Sequence, residues 1–259
     1  MDRTSQADPP HGGPREPRPF VFWFLASIVV PLASILMKIR VRPGDSMPRN
    51  GAYVLAPNHY TEIDPIAVAI AIWRLGRPPR FLAKESLFHV PVLGWALRVT
   101  GMVPVARTSS SASARKTLDA SETLVRHGRG VVVYPEGTLT RDPGMWPMRG
   151  KTGAVRLALE ADIPLIPMAH WGAQNVMARY GKKVSFWPPR KLVTVAIGAP
   201  VDLSDLKGQH AKPAALAEAT DRLMSAITLL LEDLRDEKAP AERWNPSAHG
   251  QRETGRLEP

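Results

Sequence analysis

The strongest chemical signal in the chain is a histidine followed five positions later by an aspartate, His59 and Asp64. On one continuous helix these side chains would point about 140° apart. A strand that ends before His59 and a helix that begins near Asp64 would let the loop between them fold back. An aspartate that accepts a hydrogen from one ring nitrogen leaves the other nitrogen free to take a proton. The pair therefore predicts a general base, with a surface histidine beside a helix-capping aspartate as the alternative.

The nucleophile that such a base would activate is not evident in the chain. There is no cysteine, which excludes thiolate nucleophiles, disulfides and cysteine metal sites. There is also no Gly-x-Ser-x-Gly sequence of the kind that presents a catalytic serine. We therefore expect the base to activate a hydroxyl group of the substrate.

A second candidate site follows an apolar run and reads Tyr-Pro-Glu-Gly-Thr at positions 134–138. Gly137 permits a positive φ or a close backbone approach, so backbone N–H groups and the Thr138 hydroxyl could bind an anion. Two cations, Arg141 and Lys151, follow nearby. The alternative is an ordinary turn with a solvated glutamate.

Two further cations stand at the ends of short apolar runs. Arg107 ends the stretch 101–107 (GMVPVAR), where a guanidinium could bind phosphate in a bidentate way. Lys84 follows another such run. Both could equally be solvated surface cations. The stretch 163–167 (IPLIP) contains two prolines, which disfavour a central strand, so we expect it at a sheet edge or along an apolar groove.

The elements that must position these residues alternate between strand-like and helix-like patterns. Such alternation predicts a single α/β domain with a mostly parallel mixed sheet flanked by helices. The predicted strands are 52–56, 80–83, 102–106, 130–134, 163–168 and 192–197. The predicted helices are 65–75, 90–98, 112–127, 153–161 and 213–235, with Asp64 as the N-cap of the first.

An uncharged apolar segment, residues 20–37, precedes this domain and has basic residues on both sides. Pro31 would kink or break a helix there. A helical hairpin or kinked helix in the membrane interface suits the basic flanks. A single membrane span, a buried core helix and a signal peptide are the alternatives.

Composition limits the classes of partner. The 259 residues include 44% hydrophobic and 22% charged residues, and the formal net charge is +10. This composition is that of a folded protein, and the charge favours anionic partners such as phospholipid surfaces, nucleic acid or phosphate-bearing substrates. The predicted organisation is a disordered N-terminus (1–19), a membrane-anchoring segment with its basic flank (20–42), the α/β domain (43–238) and a disordered tail (239–259).

Four blocks in this order resemble the glycerolipid acyltransferase family of 1-acylglycerol-3-phosphate acyltransferases. Residues 58–64 (NHYTEID) look like its Asn-His-x4-Asp motif, and residues 101–107 look like its block that ends in arginine. Residues 134–138 look like its Phe-Pro-Glu-Gly-Thr block, and residues 163–167 look like its proline-rich last block. The resemblance extends over roughly residues 20 to 200.

This resemblance implies an acyl-CoA or acyl-carrier-protein co-substrate, a lysophosphatidate acceptor, phosphatidic acid as product, and no metal or other cofactor. It implies that His59 is the base and Asp64 its orienting partner. The residues it implies for substrate binding, together with the nearby cations, are Asn58, Thr61, Lys84, Arg107, Glu136, Gly137, Thr138, Arg141 and Lys151. Two positions depart from the family pattern, Thr61 where many members have serine and Leu139 where many have arginine.

Other functions remain open on the sequence alone. The same chemistry could act on glycerol-3-phosphate, another lysophospholipid or a glycolipid precursor. A basic, membrane-tethered binding module without catalysis is a more distant alternative, although no basic patch interleaved with aromatic residues, as nucleic-acid binding would need, is evident. We expect the protein at the cell membrane, either peripheral or with one span, with its catalytic domain facing the cytoplasm.

Overall fold

The computed structural model describes residues 14, 16, 18–45, 47–105 and 122–252. The α-helices are α1 (Phe20–Leu36), α2 (Asp64–Arg74), α3 (Leu93–Val99), α4 (Gly153–Ala161) and α5 (Pro213–Arg235). The β-strands are β1 (Met37–Val41), β2 (Tyr53–Pro57), β3 (Leu82–Lys84), β4 (Val103–Val105), β5 (Gly130–Val132), β6 (Leu165–Trp171) and β7 (Lys191–Ile197). Residues 122–126 are also helical and residue 127 is in a turn, whereas residues 112–121 of the helix predicted at 112–127 lie outside the described residues.

Five strands form the main sheet in the order β1-β7-β6-β2-β5, and β3 and β4 form a separate parallel pair. Every neighbouring pair in the main sheet is parallel except β6 and β7, which are antiparallel. Strands β1 and β7 therefore run opposite to β2, β5 and β6. The first residues of β1 and β7 lie at the same end of the sheet as the last residues of β2, β5 and β6. We call this end the site end.

Helices cover both faces of the sheet. The side chains of Tyr53 and Leu55 in β2 join the cluster that contains α2, whereas Val54 and Ala56 join the cluster that contains α4 and α5. Every residue of β2 is buried, as expected for a parallel strand between two layers of helices. The prediction of one α/β domain with a mostly parallel sheet is confirmed.

Strand β1 lies inside the segment assigned above to the membrane anchor, so the boundary at residues 42 and 43 was placed too late. Its side chains alternate, with Met37 and Ile39 buried and Lys38 and Arg40 exposed. Alternation with a period of two is the signature of a half-buried strand. We had taken the cations only as a basic flank.

Strand β6 corrects the expectation that residues 163–167 lie at a sheet edge. It pairs with β7 on one side and β2 on the other, with Pro167 opposite Ala56. The carbonyl of Pro167 accepts from the N–H of Gly198, one residue beyond the end of β7. The nitrogen and the carbonyl of one strand residue point to the same side, so the nitrogen of Pro167 also faces β7 and not β2. The N–H that proline lacks would therefore lie just beyond the last paired residues of β6 and β7, Met168 and Ile197. The sheet therefore tolerates Pro167 in its central strand.

Helix α1 contains Pro31 and exposes a row of large apolar side chains. This row consists of Phe20, Trp23, Phe24, Ile28, Leu32 and Ile35. Within the described residues, no helix has the length and hydropathy required to cross a bilayer. The membrane anchor predicted for this segment stays a prediction.

The two termini differ from the disorder that their polar composition predicts, as far as they are described. Glu16 is buried and forms ion pairs with Arg77 and Arg80. Near the other end, residues 246–249 form a 3-10 helix, and the carbonyl of Trp244 accepts from the N–H of Arg149. Part of the predicted tail is therefore packed against the domain.

Candidate active site

The loop between β2 and α2 brings the predicted base and its partner together. β2 ends at Pro57, α2 begins at Asp64, and His59 stands in the connecting loop. The Nδ1 atom of His59 lies 3.1 Å from Oδ2 of Asp64. The strand, loop and helix therefore allow the contact that a single helix would prevent.

The Asp64 carboxylate is held by the loop and not by the helix that follows it. Its Oδ2 atom accepts from the N–H groups of Tyr60 at 2.7 Å and Thr61 at 2.9 Å. Its Oδ1 atom accepts from the hydroxyl of Thr61 at 2.7 Å. Asp64 is the first residue of α2, and its side chain makes no capping bond to that helix. The expectation that Asp64 is an N-cap was wrong, because its carboxylate points back towards the loop.

The charge of Asp64 fixes the hydrogen on His59. Complete burial alone would raise the pKa of the Asp64 carboxyl, but the nearby His170 and His59 rings and the N–H of Thr61 outweigh burial and lower it. An ionised carboxylate only accepts, so the shared hydrogen belongs to Nδ1 of His59. Nε2 of His59 then has its lone pair available, and the side chain is 17% exposed. This is the state a general base requires.

Tyr134 forms one wall of the site. Its ring stacks on the His59 ring, with centroids 4.1 Å apart and planes 27° apart. The Tyr134 hydroxyl is buried and has no hydrogen-bond partner among the described residues. Burial, with smaller effects from Asp64 and Tyr60, raises the pKa of that hydroxyl well above its usual value. Tyr134 is therefore a neutral phenol that restricts the imidazole from one side.

His170 on β6 is a buried neighbour that we did not predict from the sequence. Its Nε2 atom lies 3.0 Å from the carbonyl of Asn58 and 3.8 Å from Oδ2 of Asp64, and its Nδ1 atom lies 3.2 Å from the hydroxyl of Tyr60. Burial lowers the pKa of His170. A neutral ring with its hydrogen on Nε2 satisfies both contacts, because Nε2 then donates to the carbonyl and Nδ1 accepts from the phenol.

Asn58 joins this loop to the same strand. Its side-chain amide donates to the carbonyl of His170 at 3.1 Å and accepts from the N–H of His170 at 2.9 Å. Asn58 is 2% exposed. The structure therefore gives Asn58 and Thr61 supporting contacts within the loop, and their contact with substrate stays a prediction.

Glu136 connects the loop of residues 58–64 to the loop that follows β5. Its two carboxylate oxygens accept from the N–H of His59 at 3.1 Å and the N–H of Met148 at 3.0 Å. Burial raises the pKa of Glu136 to about 8, even though both N–H groups and the Thr140 side chain lower it. Glu136 has 0% exposure, so its shown contacts hold the backbone at His59.

The accessible part of the site beside His59 lies at the turn after Glu136. Gly137 has a φ of +69° and is exposed, and Thr138 and Lys151 are partly exposed. A β-carbon added at Gly137 would lie 3.1 Å from Cδ and 3.5 Å from Nζ of Lys151. The N–H of Lys151 also donates to the carbonyl of Pro135 at 2.7 Å. The ammonium group of Lys151 therefore lies against a glycine turn, an arrangement suited to an anion.

The remaining predicted site residues are placed differently. Arg141 is 1% exposed, so it does not offer its guanidinium to solvent. Lys84 is the last residue of β3. Arg107 lies outside the described residues. Among the described residues, no group of three or more His, Asp or Glu side chains could hold a metal ion.

Comparison with known proteins identifies the type of domain. A family model described as Acyltransferase matches residues 38–171, which is just over half of the chain. The matched range runs from β1 to the end of β6. It includes His59, Asp64, Glu136 and Lys151, so the geometry described above lies within the matched range.

Curated relatives carry more specific names. The chain is 30% identical over 124 residues to the chloroplast 1-acyl-sn-glycerol-3-phosphate acyltransferase BAT2 of Brassica napus, a match that covers 48% of this chain and 34% of that protein. It is 26% identical over 216 residues to the 1-acyl-sn-glycerol-3-phosphate acyltransferase of Bacillus subtilis, a match that covers 83% of this chain and 100% of that protein. The matches to relatives from Chlamydomonas reinhardtii and Borreliella burgdorferi span only 54% and 53% of those proteins.

A solved structure shares the fold. The crystal structure of the 1-acyl-sn-glycerophosphate (LPA) acyltransferase PlsC from Thermotoga maritima superposes with a TM-score of 0.59. The match covers 85% of this chain and 80% of that chain, at 18% sequence identity. At this identity the comparison demonstrates a common architecture.

Proposed function

The chain belongs to the acyltransferase family, and from this membership we propose that it transfers a fatty acyl group to the free hydroxyl of 1-acylglycerol-3-phosphate. The acyl donor is acyl-CoA or acyl-carrier protein. The products are phosphatidic acid and the free thiol of the donor. The single observation that best supports the proposal is the 3.1 Å contact between His59 and a buried, ionised Asp64.

The proposed reaction needs no covalent acyl-enzyme, because a thioester is already an activated acyl group. Nε2 of His59 removes the proton from the acceptor hydroxyl as its oxygen attacks the thioester carbonyl. The carbon–sulfur bond then breaks, and the departing thiolate takes the proton back to become the thiol. General-base assistance of this kind contributes ~10²–10⁴-fold to the rate.

Positioning of the two substrates contributes the remainder. The phosphate of the acceptor binds at the Gly137–Thr138 turn and Lys151, with Arg107 as a further proposed phosphate ligand. Holding both reactants in line supplies up to roughly 7–11 kcal/mol. The backbone contact from Glu136 to His59 and the stacked Tyr134 ring keep the base oriented while this happens.

We also propose that the enzyme works at the cell membrane, with its domain on the cytoplasmic side. Acceptor and product are both lipids. Extracting a lipid chain into water costs ~0.8 kcal/mol per CH₂ group, so a domain held at the surface by the exposed row of α1 avoids most of that cost.

Acyl transfer to a related acceptor is the alternative proposal. Leu139 stands where many members of the family have arginine, and Arg141 is buried. With fewer cations directly after the glycine turn, a lysophospholipid with another headgroup, a glycolipid precursor or glycerol-3-phosphate becomes a competing acceptor.

The deciding experiment is an acyl-transfer assay with radiolabelled donor and purified protein in mixed micelles. Lysophosphatidate, other lysophospholipids and glycerol-3-phosphate serve as acceptors, each with acyl-CoA and acyl-carrier-protein donors. Wild type should acylate lysophosphatidate with the highest kcat/KM, and His59→Ala should lower kcat by ~10²–10⁴-fold.

A matched control is His127→Ala, because His127 is exposed and distant in sequence from the loop. That variant should keep wild-type kcat. A folded His59→Ala variant with near-normal turnover would contradict the base assignment. A wild-type preference for another acceptor would contradict only the choice of lysophosphatidate.

A further inference from the structure

A loop between β6 and β7 combines exposed aromatic side chains with a high density of positive charge. Our expectation that the chain holds no basic patch interleaved with aromatic residues was therefore wrong. Its residues 182–191 read KKVSFWPPRK, and we call this segment the aromatic–basic loop. Trp187 is 83% exposed and Phe186 is 69% exposed. Large aromatic side chains with this exposure are uncommon unless they meet a partner.

The charge around this loop has one sign. Residues 163–201 contain no aspartate or glutamate, whereas Arg179, Lys182, Lys183, Arg190 and Lys191 all lie within them. Lys182, Lys183 and Arg190 are exposed, and none of the ion pairs between described residues involves them. The loop therefore presents unneutralised cations beside an apolar tip.

The base of the loop is held in place by its own chain. The ammonium group of Lys191 donates to the carbonyls of Ser185 and Pro188, both at 2.8 Å, and the N–H of Ser185 donates to the carbonyl of Val176 at 2.8 Å. These bonds use backbone acceptors and leave the two aromatic rings outside. The tip is thus a fixed projection of the domain.

The exposed row of α1 ends next to this loop. The N–H of Arg190 donates to the carbonyl of Ile35 at 3.0 Å, and β1 and β7 begin side by side, with Met37 opposite Lys191. Ile35 is 58% exposed and Leu32 is 60% exposed. The C-terminal end of α1, with its exposed aliphatic side chains, therefore lies beside the C-terminal end of the aromatic–basic loop.

This shared surface lies at the same end of the sheet as the proposed base. β7 runs antiparallel to β6, so the loop that begins β7 stands at the site end, where β2 ends before His59. The same β6–β7 connection also contacts the loop between β2 and α2 that carries His59, because the N–H of Ala173 donates to the hydroxyl of Tyr60 at 3.2 Å. A bilayer bound at the loop would face the site.

We propose that the aromatic–basic loop, together with the adjoining end of α1, docks on an anionic phospholipid bilayer. Phe186 and Trp187 enter the interfacial region while Lys182, Lys183 and Arg190 meet the headgroup phosphates. This rests on the proposed function for the use of the surface, since it delivers the lipid acceptor to the site end. A second copy of the chain is a poorer occupant, because a symmetric contact would set cations against cations.

The test uses the absence of cysteine in the chain. Full-length Trp187→Cys is labelled with an environment-sensitive dye and mixed with vesicles of phosphatidylcholine and phosphatidylglycerol. Leu229→Cys is the matched control, because Leu229 is also exposed, at 61%, but lies on α5. The dye at position 187 should shift to the blue and be quenched by brominated lipids, and the dye at position 229 should do neither.

A second arm measures the strength of docking. Phe186→Ser combined with Trp187→Ser should weaken vesicle binding by roughly tenfold, because two aromatic side chains no longer leave water. Lys182→Gln combined with Lys183→Gln should weaken binding to anionic vesicles by roughly tenfold and leave binding to phosphatidylcholine vesicles unchanged.

Three results would overturn the proposal. In the first, the protein is bound to vesicles while the dye at position 187 stays in water, which would leave docking to α1 alone. In the second, the blue shift arises without lipid as protein concentration rises, which would mean self-association. In the third, an oligonucleotide produces the shift without lipid. None of these measurements uses an acyl donor or acceptor, so they are separate from any failure of acyl transfer.

Discussion

Two regions at the same end of the sheet differ in burial and in how their polar and charged groups are paired. Around His59 the described polar groups are buried and nearly all satisfied within the chain, with Asp64 alone accepting four hydrogen bonds. On the aromatic–basic loop and α1, apolar side chains are exposed, and the loop cations Lys182, Lys183 and Arg190 form no ion pair with another described residue. The polar groups of the first region bond mainly to one another, whereas the second region has the exposed apolar and cationic groups that we propose bind a membrane.

This difference predicts where mutations act. Buried polar networks fix geometry but are costly to disturb, since each unsatisfied buried group costs about 1–3 kcal/mol. Exposed side chains contribute little to folding, so their substitution changes what the protein binds. Substitutions near His59 should therefore change turnover, and substitutions on the loop should change only the membrane-bound state.

The largest effect is expected from Asp64→Asn. An asparagine can keep the shape and most of the hydrogen bonds, because the Thr61 hydroxyl can rotate to accept from its amide. It removes the negative charge that fixes the His59 hydrogen and stabilises the protonated ring. We expect kcat to fall by ~10²–10⁴-fold while the variant remains folded.

The control for this change is Asp205→Asn. Asp205 is an exposed aspartate that forms an ion pair with Arg222 and is distant in sequence from the loop of residues 58–64. It should keep wild-type kcat. If Asp64→Asn kept more than a tenth of the wild-type rate, the orienting role of Asp64 would be wrong, and His59 would be acting without a charged partner.

A smaller effect is expected from Lys151→Ala. The ammonium group of Lys151 lies against the Gly137 turn, and a hydrogen bond to a charged group contributes about 1.5–3 kcal/mol. We expect the acceptor KM to rise by roughly 10- to 100-fold at nearly unchanged kcat.

Arg149→Ala is the matched control for Lys151→Ala, because Arg149 is an exposed cation two positions away. Its acceptor KM should equal that of wild type. A Lys151→Ala variant that lost kcat with no change in KM would place Lys151 among the groups that act on the transition state and not at the phosphate.

The pH dependence of stability tests the buried state of Glu136. Its folded pKa is about 8 against an unfolded value of 4.5, so the folded protein holds a proton that the unfolded chain has lost. This contribution to stability is full below about pH 4.5 and is lost as pH rises through 8. One proton corresponds to at most about 1.4 kcal/mol per pH unit.

The measurement is the free energy of unfolding of wild type and Glu136→Gln across pH 5 to 8. Gln carries no titrating proton, so the free energy of unfolding of wild type, measured relative to that of Glu136→Gln, should fall as pH rises. The lowered pKa of His170 acts in the opposite direction, with stability lost below about 6.5, and it is present in both proteins. A difference that does not vary with pH would show that Glu136 is ionised throughout.

The sequence was sufficient for the parts of the site that depend on near neighbours. His59 and Asp64 are five positions apart, and a short loop between a strand and a helix determines their contact. Gly137 was recognisable as a turn residue because glycine adopts a positive φ easily, and its φ in the structure is indeed positive. These features depend on local backbone geometry, which residue type and spacing encode.

The rest depends on how strands pair, which local patterns do not encode. His170 reaches Asn58 and Tyr60 across more than a hundred positions, through the pairing of β2 with β6. Pro167 looked incompatible with a central strand until its missing N–H proved to fall at the end of a ladder. Strand β1 was hidden because we interpreted its alternating cations as a membrane flank.

The smallest effect is expected on folding when Phe186 and Trp187 are both changed to serine. Their rings are mostly in water, and the bonds that hold the loop come from Lys191 and backbone groups. Without lipid, the free energy of unfolding measured with denaturant should change by less than about 0.5 kcal/mol. Leu55→Ala, in the buried strand β2, should cost about 2–5 kcal/mol in the same assay.

Anionic vesicles should separate the two loop states further. A bilayer that binds the folded protein stabilises it by mass action, so wild type should gain more stability than the double serine variant. A loss of more than about 1 kcal/mol without lipid would mean that the aromatic side chains belong to the folded core. The loop would then resemble the region around His59, and the contrast between a self-sufficient site and a surface that needs a membrane would no longer hold.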